Sequence, residues 1–319
     1  MSGVVLGAFA GIGFGLFQIV YRRVNATMDV YRATLGLLAV GTALLATFSL
    51  ITDDVRLLWD APLSALGAFA LAGFVHFFLG WTFLGLSQQR VGAARTSALV
   101  GAAPLFAAAA AALVLHEVLS VVRIIALLVV VAGVVVTSLS GARGSTGGTS
   151  PLAGQGGVRL RGGSGRAVPA ARETMTGVLC ALATALCWSV SPLLIRGGLR
   201  GLPSPLLGVT VGMAAATVVY GAYAVGGRRP LRDPDMRSAR APLLVAGALV
   251  ALAIWLQWQA YDVAPIGVVL AVMQVSAPVV VILAPLSSSD PAERSSGALW
   301  VGLGLVVAGS VTLLLQSNG

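Results

Sequence analysis

No lysine occurs in this chain of 319 residues; all 20 basic residues are arginines. Alongside so much Ala, Gly and Val, that bias reads as GC-rich coding, so arginine content alone is no sign of nucleic-acid binding. No basic, aromatic-interleaved module is present either, and no nucleic-acid partner is expected. Charge of either sign is scarce, at 10% against about a quarter in soluble domains, which excludes an ordinary soluble fold. Two His and two Cys leave little for a metal centre, and neither metal nor cofactor is expected. Cys180 and Cys187 stand seven apart on one predicted helix, about 10 Å in rise, too far to bridge. A basic region before the first apolar segment is also lacking. Tyr21-Arg22-Arg23 follow that segment instead, the order of a retained first span rather than a cleaved signal.

What the chain has is apolar surface: 57% hydrophobic residues and a mean hydropathy of +0.94. A bilayer-spanning helix needs about 20 apolar residues. The segments that meet this are 2–21, 30–51, 62–86, 91–114, 119–139, 175–196, 204–226, 241–261, 265–286 and 296–316. Between the fifth and sixth lies GARGSTGGTSPLAGQGGVRLRGGSGRAVPAARET, which has no periodicity and little to bury, the composition of a flexible linker.

The two sides of that linker repeat. Glu117 precedes Ala132-Gly133 by the spacing with which Glu293 precedes Ala308-Gly309, and LLVVVAGVVVTSL (127–139) shares seven of thirteen residues with LGLVVAGSVTLLL (303–315). Pro104 matches Pro278, and Gly3 to Arg22 has the separation of Gly177 to Arg196, which sets Phe14 over Trp188. Five spans is an odd number, so a second copy must enter the membrane in the opposite orientation, a common plan among secondary transporters. The expected architecture is an all-α integral membrane protein of ten helices, as two inverted five-helix repeats around a central cavity. Residues 1–140 form the first repeat, 141–174 the linker and 175–319 the second repeat.

With Pro104, His116-Glu117 and Ala132-Gly133 in one half and Pro278, Glu293 and Ala308-Gly309 in the other, the chain resembles EamA-type members of the drug/metabolite transporter superfamily. ALCWSVSPLLIRGGL (185–199) also resembles that family's sixth helix. The resemblance covers the chain outside the linker. It departs in having His116 where the family has Gly, and in a second turn two residues longer than the first. It implies a cavity lined by helices one, three, four, six, eight and nine, with helices five and ten packed together. It does not name a substrate.

Polar side chains within membrane helices mark functional positions. The first span holds Gln18, balanced between cavity lining and an interhelical hydrogen bond. His76 lies near the middle of the third span, in LAGFVHFFLGW, as cavity residue or packed core histidine, and Trp81 follows as lining or interface anchor. Trp188 and Ser191 flank the loosened backbone before Pro192. In the eighth span Trp255, Trp258 and Asp262 share a face by spacing, with Gln259 beside them, and Met273 and Gln274 stand one turn before Pro278. Arg95 reads more readily as a loop residue than as a lining one. Glu117 and Glu293 read as structural marks at turns, each suited to cap the following helix.

No Asp or Glu falls in the middle of a span, so proton exchange through a buried carboxylate has no candidate. Facilitated diffusion remains, or coupling through His76, which titrates near neutrality when unperturbed. Aromatic and Gln lining suits neutral, zwitterionic or amphipathic solutes: metabolites, amino acids or drugs. The expected activity is secondary transport or export by alternating access across the cytoplasmic (inner) membrane of a bacterium. A flippase for a lipid-linked intermediate is the alternative. A membrane-embedded enzyme has little chemistry to draw on, and no enzyme is expected. Monomer and homodimer both stay open.

Two arguments on orientation disagree. The linker side holds Arg22, Arg23, Arg90, Arg95, Arg294, five Arg within 143–172 and five within 228–240; the terminal side holds Arg56, Arg123, Arg196 and Arg200. The positive-inside rule therefore puts the termini outside, whereas the resemblance implies cytoplasmic termini.

Overall fold

A computed structural model describes residues 3–27, 30–91, 96, 99–101, 103–114, 120–144, 170–226, 236–276, 279, 283 and 297–317. Among these every long element is a helix, as lipid demands of backbone that cannot hydrogen-bond to water. The helices are α1 (Gly3–Thr27), α2 (Val30–Thr52), α3 (Leu63–Gly73, continuing without a break through Phe74–Gly80 and Trp81–Val91), α4 (Ala103–Val114) and α5 (Val121–Gly144). They continue with α6 (Ala170–Leu199), α7 (Pro205–Gly226), α8 (Met236–Val263), α9 (Ile266–Val272 and the tighter 3-10 turn Met273–Val275) and α10 (Gly297–Ser317). Six of the described helices, α1, α2, α3, α6, α7 and α8, are long and apolar enough to cross a membrane; α4, α5, α9 and α10 contribute shorter apolar stretches.

Several helices overrun the apolar spans, and they do so at one end. Helix α1 continues from residue 21 to Thr27 and α5 from 139 to Gly144, while α6 starts at Ala170 rather than 175 and α8 at Met236 rather than 241. Helices α5 and α6 thus take up both ends of the expected linker, 141–144 and 170–174, and residues 145–169 lie outside the described residues. A hydropathy window stops where charge begins, but backbone hydrogen bonds do not. The extensions carry Arg22, Arg23, Arg143, Arg172, Arg237 and Arg240.

The principal packing pairs form a regular set. Helix α1 packs on α8 and α9, and α6 on α3 and α4. Helix α2 packs on α7 and α8, and α7 on α2 and α3. Helix α4 meets α9, and α5 meets α10. Exchanging the first five labels for the second five returns the same list.

The glycines explain how close these pairs come. A Cβ on Gly133 of α5 would stand 2.7 Å from Gly302 O and 2.7 Å from Val306 N, and one on Gly309 of α10 would stand 2.9 Å from Ala126 O and 3.1 Å from Val130 N. Each glycine thus meets the residue three places before the other. Along α1, Gly7 faces Val269, Gly11 lies against Met273 O and Gly15 against Ser276 O and Val279, a small-residue stripe that admits α9. Helices α2 and α7 are joined instead by hydroxyl pairs, Thr42–Thr217 and Ser49–Thr210, both at 3.0 Å. Buried aliphatic and aromatic side chains centred on Phe69, Phe77, Met213, Ile254 and Trp258 fill the space between α2, α3, α7 and α8.

Pro104 is buried near the start of α4. His116, Glu117, Pro278 and Glu293 lie outside the described residues. Gly133→Val and Gly309→Val should each lower stability by about 1–3 kcal/mol through overpacking. Gly304→Val, where nothing lies within 4 Å, should not. Thermal unfolding of the detergent-solubilised variants checks this, and equal melting temperatures for all three would contradict the reciprocal contact.

Candidate functional site

Midway along α3 the backbone loosens into a π-helical stretch, Phe74–Gly80, a form frequent at functional sites. Opposite it, α6 carries Pro192 within the helix. Proline has no N–H, so the carbonyl of Trp188 loses its helical donor. Two irregular backbones meet at this crossing, and side chains of α6 tie them together. Ser191 Oγ lies 2.9 Å from His76 Nδ1, Trp188 Nε1 donates to His76 O at 3.3 Å, and Thr184 Oγ1, whose proton goes first to Cys180 O of its own helix at 3.0 Å, lies 3.4 Å from Gly80 O. Thr184, Trp188 and Ser191 follow i, i+4, i+7 spacing, one face of the helix. Gly80 is required there, because a Cβ would sit 2.6 Å from Trp188 Nε1. Ser189 donates to Ala185 O of its own helix at 2.6 Å, and its Oγ also lies 3.1 Å from Ala103 O of α4.

His76 is 5% exposed and stacks on Trp188 with ring centroids 5.8 Å apart. Aromatic contacts continue from it in the other direction. His76 meets Phe77 edge-on at 4.8 Å, Phe77 meets Trp81 at 5.7 Å, and Trp81 stacks on Phe17 at 6.4 Å. Phe17 in turn contacts Phe14 and Tyr21. A band of rings therefore runs from α1 across α3 to α6, and Phe14, Trp81 and Trp188 within it are only half-buried.

His76, Trp81, Trp188 and Ser191 come together in this cluster. The eighth-span face points elsewhere. Trp255 packs edge-on against Phe48 of α2 at 5.2 Å, and Trp258 is fully buried against Phe69 at 5.7 Å and close to Gly212 of α7. Both indole Nε1 atoms are buried without a partner. Asp262 is exposed at the end of α8 and Gln259 is half-buried. Met273 is buried and Gln274 half-buried on the 3-10 turn of α9. Gln18, one turn past Gly15 on α1, is exposed. No described contact joins these residues to His76. Arg95 lies outside the described residues.

Sequence reasoning passed over Gln257 and Tyr261. Both are buried in α8, Gln257 Nε2 donates to Tyr261 OH at 2.6 Å, and Gln257 Oε1 has no partner. Thr184 was missed too, although its spacing to Trp188 and Ser191 carried the signal. Among the described residues no group of three His, Cys, Asp or Glu is arranged to hold a metal. The chemistry on offer is recognition: ring faces, hydroxyls and an imidazole in an apolar setting.

Comparison with known proteins agrees with this architecture. Residues 1–139 match the sequence model of the EamA-like transporter family. A crystal structure described only as that of a protein superposes with a TM-score of 0.74, over 99% of this chain and 99% of its own, at 18% identity. That likeness shows a shared fold. No curated protein matches the chain.

Ser191→Ala should cost about 1–3 kcal/mol of stability, because it strands a buried ring nitrogen. In a His76→Ala background the same change should cost far less, a coupling that a double-mutant cycle on thermal unfolding measures. Additive costs would dissolve the pair.

Proposed function

We propose that this chain is an EamA-like transporter of the drug/metabolite transporter superfamily, supported by the family match over residues 1–139, and that it is a secondary transporter working by alternating access. Its solutes are small and neutral, zwitterionic or amphipathic: metabolites, amino acids or drugs. We assign it to the cytoplasmic membrane of a bacterium, as a multi-pass protein without enzymatic activity. The halves, 1–140 and 175–319, are proposed to be inverted repeats, and the reciprocal contacts of Gly133 and Gly309 support that pairing.

The observation that carries the reading is the junction of α3 and α6. A histidine, two hydroxyls and an indole converge there on two loosened backbones within apolar helices. Broken helices near the membrane midplane are where secondary transporters bind solute. The band of rings beside the junction offers flat apolar surface with hydrogen-bonding edges, which suits a solute with an apolar body and few charges. Gln18, Trp255, Trp258, Gln259, Met273 and Gln274 remain proposed lining residues for states in which the helices stand differently. His76 is the proposed coupling group: in the tautomer whose Nδ1 accepts Ser191's hydroxyl, taking a proton there must rearrange that bond.

Uptake of a panel of labelled solutes into proteoliposomes tests this. For any solute that moves, Trp188→Ala should cut the flux about tenfold or more, the loss expected of a central aromatic anchor. His76→Gln should leave a flux that no longer responds to pH. Flux that ignores Trp188→Ala, and a pH profile unchanged by His76→Gln, would place binding and coupling elsewhere.

A further inference from the structure

The ends of α6 and α8 are tied together by one side chain. Arg196, in the last turn of α6, donates from Nε to Tyr261 O at 2.8 Å and from a terminal nitrogen to Ala264 O. Tyr261 O needs this donor, because the residue four places on is Pro265, which has no N–H to give. Around the tie the same end of the bundle is sealed. A Cβ on Gly3 would overlap Ala264, and one on Gly201 would press on Pro62 and Ala65. Leu199, Leu202, Leu206 and Ile266 are buried. Ser204 caps α7 through Leu207 N at 3.1 Å and donates to the carboxylate of Asp53 beyond α2.

Helices α1 and α3 correspond to α6 and α8 in the exchange of halves. The described contact between them is the Phe17–Trp81 stack. The terminal-side end is therefore shut in this structure, as one side of an alternating-access gate is in each of its states. Outside the tie lies a cleft of about 530 Å³ lined by Arg196, Leu199, Arg200, Asp262, Ala264 and Pro265. It gives the guanidinium a place to go, with Asp262 in the lining.

We propose that Arg196 is the latch of the terminal-side gate. Held on the α8 carbonyls it keeps that side shut, and released into the cleft it lets α6 and α8 part. The inference rests on the transporter reading above. The repeat spacing makes Arg22 the position that corresponds to Arg196, on the linker side.

The test uses the full chain in nanodiscs, with Cys180→Ser and Cys187→Ser, and a thiol introduced by Leu202→Cys beneath the seal. With Arg196 in place a charged maleimide should label that thiol slowly. Arg196→Gln should speed labelling about tenfold or more, as expected from losing two charge-assisted hydrogen bonds. Arg196→Lys, which keeps charge but not the two-pronged geometry, should fall between. Leu127→Cys, buried between α5 and α10, reports general loosening and should stay unlabelled. Unchanged labelling at position 202, or a parallel rise at position 127, would overturn the latch. Labelling needs no solute, so a flux panel in which nothing moves would sink the transport reading while leaving the latch result standing.

Discussion

Lipid is as apolar as the side chains that face it, so burying leucine and valine between helices gains little there. What holds this bundle is close backbone approach and the few polar bonds that cross between helices. Gly133 and Gly309 show the first device. Each lies where any side chain would strike the opposing backbone. Thr42–Thr217 and Ser49–Thr210 show the second, two hydroxyl pairs about two turns apart along the α2–α7 seam. The rest of the fold, including the candidate site, depends on these contacts to fix which helix faces which.

The same scarcity of hydrogen-bonding partners shapes the site. A π-helical stretch and an internal proline free backbone carbonyls that water cannot reach. Here α6 supplies the donor, Trp188 on His76 O, with the Thr184 hydroxyl within reach of Gly80 O. Rigid support for an irregular backbone and a ready-made set of donors and rings are one arrangement serving two ends. The terminal-side closure follows that logic, since Arg196 caps a carbonyl that Pro265 leaves without a donor.

Much of this was legible in the residues. The apolar spans located the described helices. The recurrence of Ala132-Gly133 as Ala308-Gly309 pointed to the pair of glycines that meet. His76, Trp188 and Ser191 were singled out as rare polar groups in apolar helices, and they converge. The face of α8 was not legible. An apolar-rich helix in lipid has no sharp moment to set its phase, so Trp255 and Trp258 drew the eye while Gln257 and Tyr261 hold the buried hydrogen bond. The π-helical stretch of α3 is set by its fit to α6, which no local pattern announces. Helix lengths were short because hydropathy ends at the first arginines, whereas α1, α5, α6 and α8 run on through them.

The central claim is that two five-helix halves, opposite in membrane orientation, enclose the junction of α3 and α6. Its most direct measurement is topological. A reporter active on only one side of the membrane is fused within the linker at Pro151 and, separately, after Gly319, and paired with a second reporter active only on the other. Five spans between the two points require opposite sides, so the two fusions should give opposite signals with both reporters. Signals on the same side would mean an even number of crossings in the second half, and the inverted pairing would be contradicted.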